Sequence, residues 1–183
     1  GNTAAILEGL DGQFGFVERQ NFADYLERNS HLTALLDERE DDGFYRVENS
    51  TARNANDGMD AGYHAMSHYS SLSNQKAFHF MGQLGMISYV QNRFFRYMGS
   101  TSALDAVMGV KYVSDTEERR PYMRATGASY GDTTLFRNEM ALPLVYFADS
   151  ALHADQVTDG RPFEAQNALF SSLNGRDTAY YSP

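Results

Sequence analysis

Ser102-Ala103-Leu104-Asp105-Ala106-Val107-Met108-Gly109-Val110-Lys111-Tyr112-Val113 is the stretch that decides the fold class. Ser102 is a suitable N-cap for a short helix over 103–108, and Gly109 supplies the left-handed residue that closes it. Val110 to Val113 then reads as a buried strand entered directly from that helix. A helix that feeds a short apolar strand belongs in layers of mixed type. Working outward, Phe44-Tyr45-Arg46-Val47-Glu48 alternates like a second strand. Before it, Phe22, Tyr25, Leu26, Leu32, Leu35 and Leu36 recur near the 3.6-residue period, which predicts a helix from Asn21. Asn29-Ser30 is the place for that helix to kink or split, and Asp41-Asp42-Gly43 ends it. The polar stretch 51–62 predicts a long loop or a short helix.

Ser73 is the expected N-cap of a helix over 74–84, with Ala77, Phe78, Met81 and Leu84 on one face. Residues 86–100 are aromatic without a clear period. Beyond the central strand, 116–120 reads as a charged surface loop. Residues 134–138 and 142–147 read as two strands joined by a Glu139-Met140-Ala141 turn. Pro162 sits at a helix N1 position, Phe163, Gln166, Leu169, Phe170 and Leu173 follow, and Gly175 stops the helix. Residues 1–20, with Gly9, Gly12 and Gly15, read as a loose lead-in. The expected class is α/β, with α+β as the alternative: a single layered domain whose short-stranded mixed sheet is packed by helices.

The chain has 183 residues with a net charge of −9, no cysteine, and 12 Tyr and 12 Phe without Trp. That length buries a core without disulfide or metal staples. An acidic total disfavours a nucleic-acid backbone or an anionic membrane surface as partner. The missing cysteines exclude disulfide frameworks, thiol nucleophiles and cysteine zinc sites. No apolar run approaches the ~18 residues of a membrane span. The opening Gly1-Asn2-Thr3 carries no initiator Met, so the segment is expected to be excised from a longer protein, and the loop-like Tyr180-Tyr181-Ser182-Pro183 to lead into further sequence.

Several groupings invite chemistry. His64 and His68 are four residues apart, the spacing of a metal pair if the segment is helical. No partner glutamate of the HExxH type accompanies them, and Asp57 and Asp60 are the nearby acids, so polar loop residues are the simpler reading. Ser67, Ser70, Ser71 and Ser73 flank His68, but no nucleophile elbow is present and turn-forming serines explain them. Gly127-Ala128-Ser129-Tyr130-Gly131 is turn-like and no phosphate-cradling glycine motif exists. Arg93, Phe94, Phe95, Arg96 and Tyr97 interleave charge with aromatics, which suits stacking on a sugar face or packing of a loop onto the core. Asp105 is explained by the dipole of the helix that carries it. Arg46 and Glu48 share a strand face.

Taken in series, Phe44 to Glu48, Asn56-Asp57, Gly62-Tyr63, Ser67-His68-Tyr69-Ser70-Ser71, Gly99-Ser100-Thr101, Asp105 and Gly109 to Val113 resemble the YfhO family of bacterial membrane proteins. The resemblance continues through Leu135-Phe136-Arg137-Asn138, Ala141-Leu142-Pro143-Leu144 and Gln166-Asn167, so it covers roughly residues 14–175. It departs at His64-Ala65, where a Gly-Tyr-Asn-Gly type motif has asparagine. The resemblance implies a polytopic parent with a GT-C-like membrane core, linked to sugar modification of lipoteichoic acid and related cell-envelope polymers from a polyprenyl-phosphate sugar. It places this segment, residues 1–183, on the extracytoplasmic face as one domain. In GT-C enzymes the catalytic acid generally lies on an early extracytoplasmic loop, which this segment does not include, so the resemblance implies no catalytic residue, metal or cofactor here. The partners implied are the parent's transmembrane region and a glycan or teichoic-acid-type polymer, with no nucleic acid. Residues carried over as a shared ligand-binding or loop-organising surface are Arg46, Glu48, Asn56, Asp57, Tyr63, His68, Tyr69 and Lys111, and an anionic polymer would require cations such as Arg46, Arg53 or Lys111. The alternatives are a purely structural or protein-interaction ectodomain, with an apolar patch at Phe94, Phe95 and Tyr97, and a stand-alone metal-dependent hydrolase built on His64 and His68.

Overall fold

The computed structural model describes residues 19–39, 43–72, 74–89, 94–147, 161–177 and 179–181. Helix α1 (Arg19–Asp37) precedes strand β1 (Arg46–Asn49). A long crossover follows, with α2 (Asp57–Ala61), β2 (His68–Tyr69), α3 (Gln75–Gln83), β3 (Ile87–Tyr89), β4 (Phe94–Arg96) and α4 (Ser102–Val107). The chain returns as β5 (Val110–Asp115), turns through β6 (Arg124–Tyr130) and β7 (Thr133–Arg137), and ends with α5 (Pro162–Asn174). The class is mixed α/β, as the sequence predicts.

The main sheet runs β1-β5-β7-β6 and a small antiparallel sheet runs β2-β4-β3. β1 and β5 are parallel, and the other main-sheet pairs are antiparallel. Arg46 aligns with Val110 but Val47 with Tyr112, so Lys111 is the extra residue of a bulge. The bulge resets the alternation: Val110 and Val113 join the larger core with Leu84, Leu104, Phe95 and Phe170, while Tyr112 joins Val47, Tyr63, Leu135 and the α1 residues Leu32 and Leu36. The sheet is therefore covered on both faces.

Local differences from expectation have physical reasons. α1 runs unbroken through Asn29-Ser30: Asn29 is buried, and its carbonyl accepts from the Thr33 hydroxyl at 3.1 Å. The cap of α4 is Thr101 rather than Ser102, because the Thr101 hydroxyl accepts from the Leu104 N–H three residues on, at 3.3 Å. Asn74 caps α3 by accepting from Lys76 N–H, while the expected cap Ser73 lies outside the described residues. Residues 142–147 do not form a strand. Pro143 lacks a ladder donor, and Leu142 N–H is already spent on the Ala106 carbonyl at 2.9 Å. The hairpin partner of β7 is instead β6, joined to it by the two-residue turn Gly131-Asp132, with Gly131 at φ 59°.

Several motif residues are ties between elements. The Gln166 amide donates to the Leu84 carbonyl at 2.8 Å and accepts from the Thr101 hydroxyl at 2.7 Å. Asn167 donates to the Tyr181 carbonyl and accepts from the Tyr180 and Tyr181 N–H groups, folding the end of the chain against α5. Asn138 donates to the Val110 carbonyl at 3.1 Å and accepts from Met140 N–H, closing β7.

Candidate functional site

Two clefts open on either side of the β1 residue Glu48 and its partner Ser67. The Glu48 carboxylate is buried and accepts from the backbone N–H groups of Met66 and Ser67 and from the Ser67 hydroxyl, the last two at 3.0 Å. The Ser67 hydroxyl also accepts from Tyr97 N–H at 3.1 Å. Glu48 thus pins Met66 and Ser67 to the sheet, and Ser67 carries the tie on to Tyr97, the residue after β4. Burial pushes the Glu48 carboxyl up to about 7, despite those three donors and the Arg120 charge.

The first cleft, about 460 Å³, is apolar and aromatic, lined by Phe44, Tyr63, His64, His68, Phe78 and Arg46 among others. The His64 ring stacks on Phe44 with centroids 4.4 Å apart, and His68 stands 6.2 Å from Phe78. The Arg46 guanidinium lies 5.7 Å over the Phe44 ring and donates to the Met108 carbonyl; burial lowers its pKa. Tyr63 is a core residue, and its hydroxyl pKa is raised first by burial and then by Glu48 and Asp57.

The second cleft, about 420 Å³, is polar: Glu48, Asp115, Arg96, Arg119, Arg120 and Tyr97 lie in its walls. Behind it sits Asp105, 0% exposed, which accepts from the Ser100 hydroxyl and from the Tyr122 hydroxyl at 2.6 Å. Burial pushes the Asp105 carboxyl up to about 6, against the Tyr122 hydrogen bond and the Arg120 charge. Arg120 stands between two acids, 3.7 Å from Asp105 and 3.9 Å from Asp115, with its guanidinium 5.4 Å over the Tyr97 ring. Arg119 reaches Asp115 Oδ1 at 3.4 Å. The sequence does not anticipate this cleft, since Arg119 and Arg120 read as a charged surface loop and the helix dipole alone accounts for Asp105. The signal available was an acid ending the central strand with an Arg-Arg pair a few residues on.

Of the residues carried over from the family pattern, Arg46, Tyr63 and His68 meet at the first cleft, and Glu48 faces the second. The other four line neither. The Asn56 amide clasps the Tyr69 backbone through two hydrogen bonds, at 2.8 and 3.2 Å, leaving the Tyr69 ring exposed. Asp57 is buried and accepts from Arg53 and Asn54 N–H, closing the 53–57 turn. Lys111 lies 5.2 Å over the Tyr45 ring, and Arg53 lies over Tyr25 and Phe22. Of the three cations expected to serve an anionic ligand, only Arg46 reaches a cleft.

His64 and His68 share the first cleft, but 64–67 is not helical, and among the described residues no group of three or more His, Asp or Glu could hold a metal ion. The exposed aromatic patch required by the protein-interaction alternative is corrected at Phe95 and Tyr97: both are buried in the larger core among Phe78, Leu84 and Leu104, which accords with the packing reading of the same residues. Arg93 lies outside the described residues.

The family model described as "Bacterial membrane protein YfhO" matches residues 1–183. No curated protein and no solved structure matches the chain. Among the described residues no helix is long and apolar enough to cross a membrane. The chain belongs to the YfhO family of bacterial membrane proteins.

Proposed function

We propose that this member of the YfhO family is an accessory, acceptor-binding extracytoplasmic domain of a membrane glycosyltransferase-like protein, and that it does no chemistry in isolation. The observation that carries the reading is the first cleft. Its exposed Phe44 and His64 rings, with His68 also in its walls, offer aromatic surface of the kind that packs on sugar rings. Arg46 adds a single cation at its edge. A glycan, or a teichoic-acid-type polymer whose sugar or glycerol units meet the rings and whose phosphate meets Arg46, fits that mixture.

The test is an NMR titration of the 183-residue chain with short glycans and glycerol-phosphate oligomers at millimolar concentration. Amides of 63–68 shift saturably in the parent sequence, and His68→Ala abolishes the shift while spectral dispersion is retained. An unmoved spectrum removes the reading. Tyr63→Ala is a poor probe, since Tyr63 packs in the core with Leu36, Val47 and Leu135. Reporter fusions within the segment in the full-length parent test its side of the membrane: a cytoplasmic signal removes the extracytoplasmic assignment.

A second reading, a domain that packs on the parent's membrane region or on another protein, is favoured by one observation. Leu142, Leu144, Val145 and Phe147 are exposed, Val145 by 83%, in a run without charge from Ala141 to Phe147. Val145→Asp with Phe147→Asp then disrupts association within the full-length protein while the fold stands, as read by co-purification of the split halves.

A further inference from the structure

We propose that residues 140–147, the uncharged run that follows β7, seat this domain on a lipid bilayer by shallow insertion of Leu144, Val145 and Phe147. This rests on the domain-packing reading of the same run, and it names a lipid surface, not another protein, as what covers it. Exposure climbs along the run, from 39% at Leu142 through 46% at Leu144 and 83% at Val145 to 106% at Phe147. Met59 and Leu72 are exposed too, but Met59 stands beside Asp60 and Leu72 between Ser71 and Ser73. Single apolar residues of that kind are ordinary on a protein surface, whereas a contiguous run without charge is not.

The run is held at its root and unpaired beyond it. The Asn138 N–H donates to the Lys111 carbonyl at 2.8 Å and its side-chain amide to the Val110 carbonyl at 3.1 Å, which fixes the end of β7 on β5. Ala141 N–H then donates to the Asn138 carbonyl at 3.3 Å, and Leu142 N–H to the Ala106 carbonyl on α4 at 2.9 Å. Among the described residues, 143–147 make no backbone–backbone hydrogen bond and belong to no helix or strand. Irregular backbone needs water for its N–H and C=O groups. That bars the hydrocarbon centre of a bilayer and sets the depth at the boundary between head groups and acyl chains.

Composition selects the partner. From Met140 to Phe147 the side chains are Met, Ala, Leu, Pro, Leu, Val, Tyr and Phe, so the Tyr146 hydroxyl is the one strong hydrogen-bonding group among them. A protein interface pairs its apolar centre with hydrogen bonds and a polar rim that fix orientation. A bilayer asks only for apolar surface, with an aromatic residue whose polar tip stays wet. The chain belongs to a family of bacterial membrane proteins, so a bilayer lies at hand. Its net charge of −9 opposes an anionic surface, so apolar contact and not charge attraction holds the domain there.

The experiment is flotation of the 183-residue chain with vesicles of phosphatidylcholine and, separately, of an equimolar mixture of phosphatidylcholine and phosphatidylglycerol, each at low and high salt. The chain floats with phosphatidylcholine, salt leaves that binding unchanged, and phosphatidylglycerol adds nothing to it. Val145→Asp with Phe147→Asp weakens it ~100-fold, the loss of burying one Val and one Phe side chain. Both side chains are exposed, so amide dispersion is retained. Val145→Leu with Phe147→Leu keeps most of the binding. The chain has no Trp, so Phe147→Trp supplies a single reporter. Its emission shifts to the blue on vesicles and is quenched more by lipids brominated near the head group than near the chain ends. No flotation, binding that needs phosphatidylglycerol and is lost in salt, binding undiminished by the two aspartates, or a Trp that stays in water overturns the proposal. Where vesicles do not bind and the same aspartates still separate the split halves of the full-length protein, the lipid assignment falls and the domain-packing reading stands. Where the halves also stay together, both fall.

Discussion

The two clefts share a wall and differ in what their side chains already do. In the first, the rings of His64 and Phe44 are exposed and stack on each other, so their removal takes little from the core. In the second, the acids and arginines are the struts of the structure: Glu48 holds the 63–67 loop, and Asp105 joins the segment before α4 to the one before β6. A polar cluster that organises the fold and a surface that meets a ligand look alike in sequence, because both are made of charged and aromatic residues. They separate once burial and partners are known.

The sharpest way to break this contrast is Asp105→Ala. It strands the Tyr122 and Ser100 hydroxyls and leaves Arg120 without one of its two acids. The expected loss is ~3–5 kcal/mol, read as a fall in Tm of roughly 10 °C for a chain of this size.

The next largest effect is on pH dependence. The Glu48 and Asp105 carboxyls sit at about 7 and about 6 when folded, above their ordinary 4.5 and 3.8, with burial as the main cause. Each therefore binds its proton more tightly in the folded chain. Their joint contribution is complete below about pH 4 and is lost as pH rises through 6 and 7. Denaturant unfolding at pH 5 and pH 8 should show the lower stability at pH 8. Glu48→Gln, neutral throughout, should narrow the gap by about 3 kcal/mol. An unchanged gap in that variant would refute the burial account of Glu48.

Gly58→Ala probes the shared wall. A Cβ there comes within 2.6 Å of the Ala65 Cβ and 3.0 Å of the Tyr63 carbonyl, so the 63–67 loop must move. The expected cost is ~1–3 kcal/mol, with shifts in amides on both clefts because Ser67 faces each. The smallest effect is His64→Ala, expected to change stability by less than about 0.5 kcal/mol while emptying the first cleft of one of its stacked rings. A large loss of stability there would erase the distinction between the two clefts.

The elements written in long periods or strong punctuation were legible. Pro162 and Gly175 bracket α5, Gly109 at φ 67° ends the turn from α4 into β5, and apolar 110–113 lies at the heart of the sheet. β6 was hidden because Arg124-Ala125-Thr126-Gly127-Ala128-Ser129-Tyr130 has small and polar residues in place of an apolar alternation. An edge strand with its register shifted between Ala125 and Ser129 does not need one. Residues 142–147 deceived for the opposite reason: they have strand composition, yet Pro143 and the tether of Leu142 to Ala106 take them off the sheet. At the candidate site, motif order singles out Arg46, Tyr63 and His68, which come together in the first cleft, whereas the second cleft brings Tyr97 from a distant segment to Asp115 and Arg120, and its one local sign is the acid ending β5 with the Arg119-Arg120 pair after it.

The parallel pairing of β1 with β5 also sets an order of assembly. β6 and β7 adjoin in sequence and can zip as a hairpin, and β5 reaches β7 across the 17 residues, 116–132, that include β6. β1 has its ladder partner only after the whole crossover has been drawn in, so its pairing carries the largest loop-closure entropy in the sheet. Emerging from the ribosome, the α1–β1 unit waits unpaired until β5 has been synthesised. Apart from Phe44 and Arg46, the lining of the first cleft belongs to that crossover. The stretch that must be drawn in before β1 can pair is thus also the stretch that supplies most of the cleft's lining.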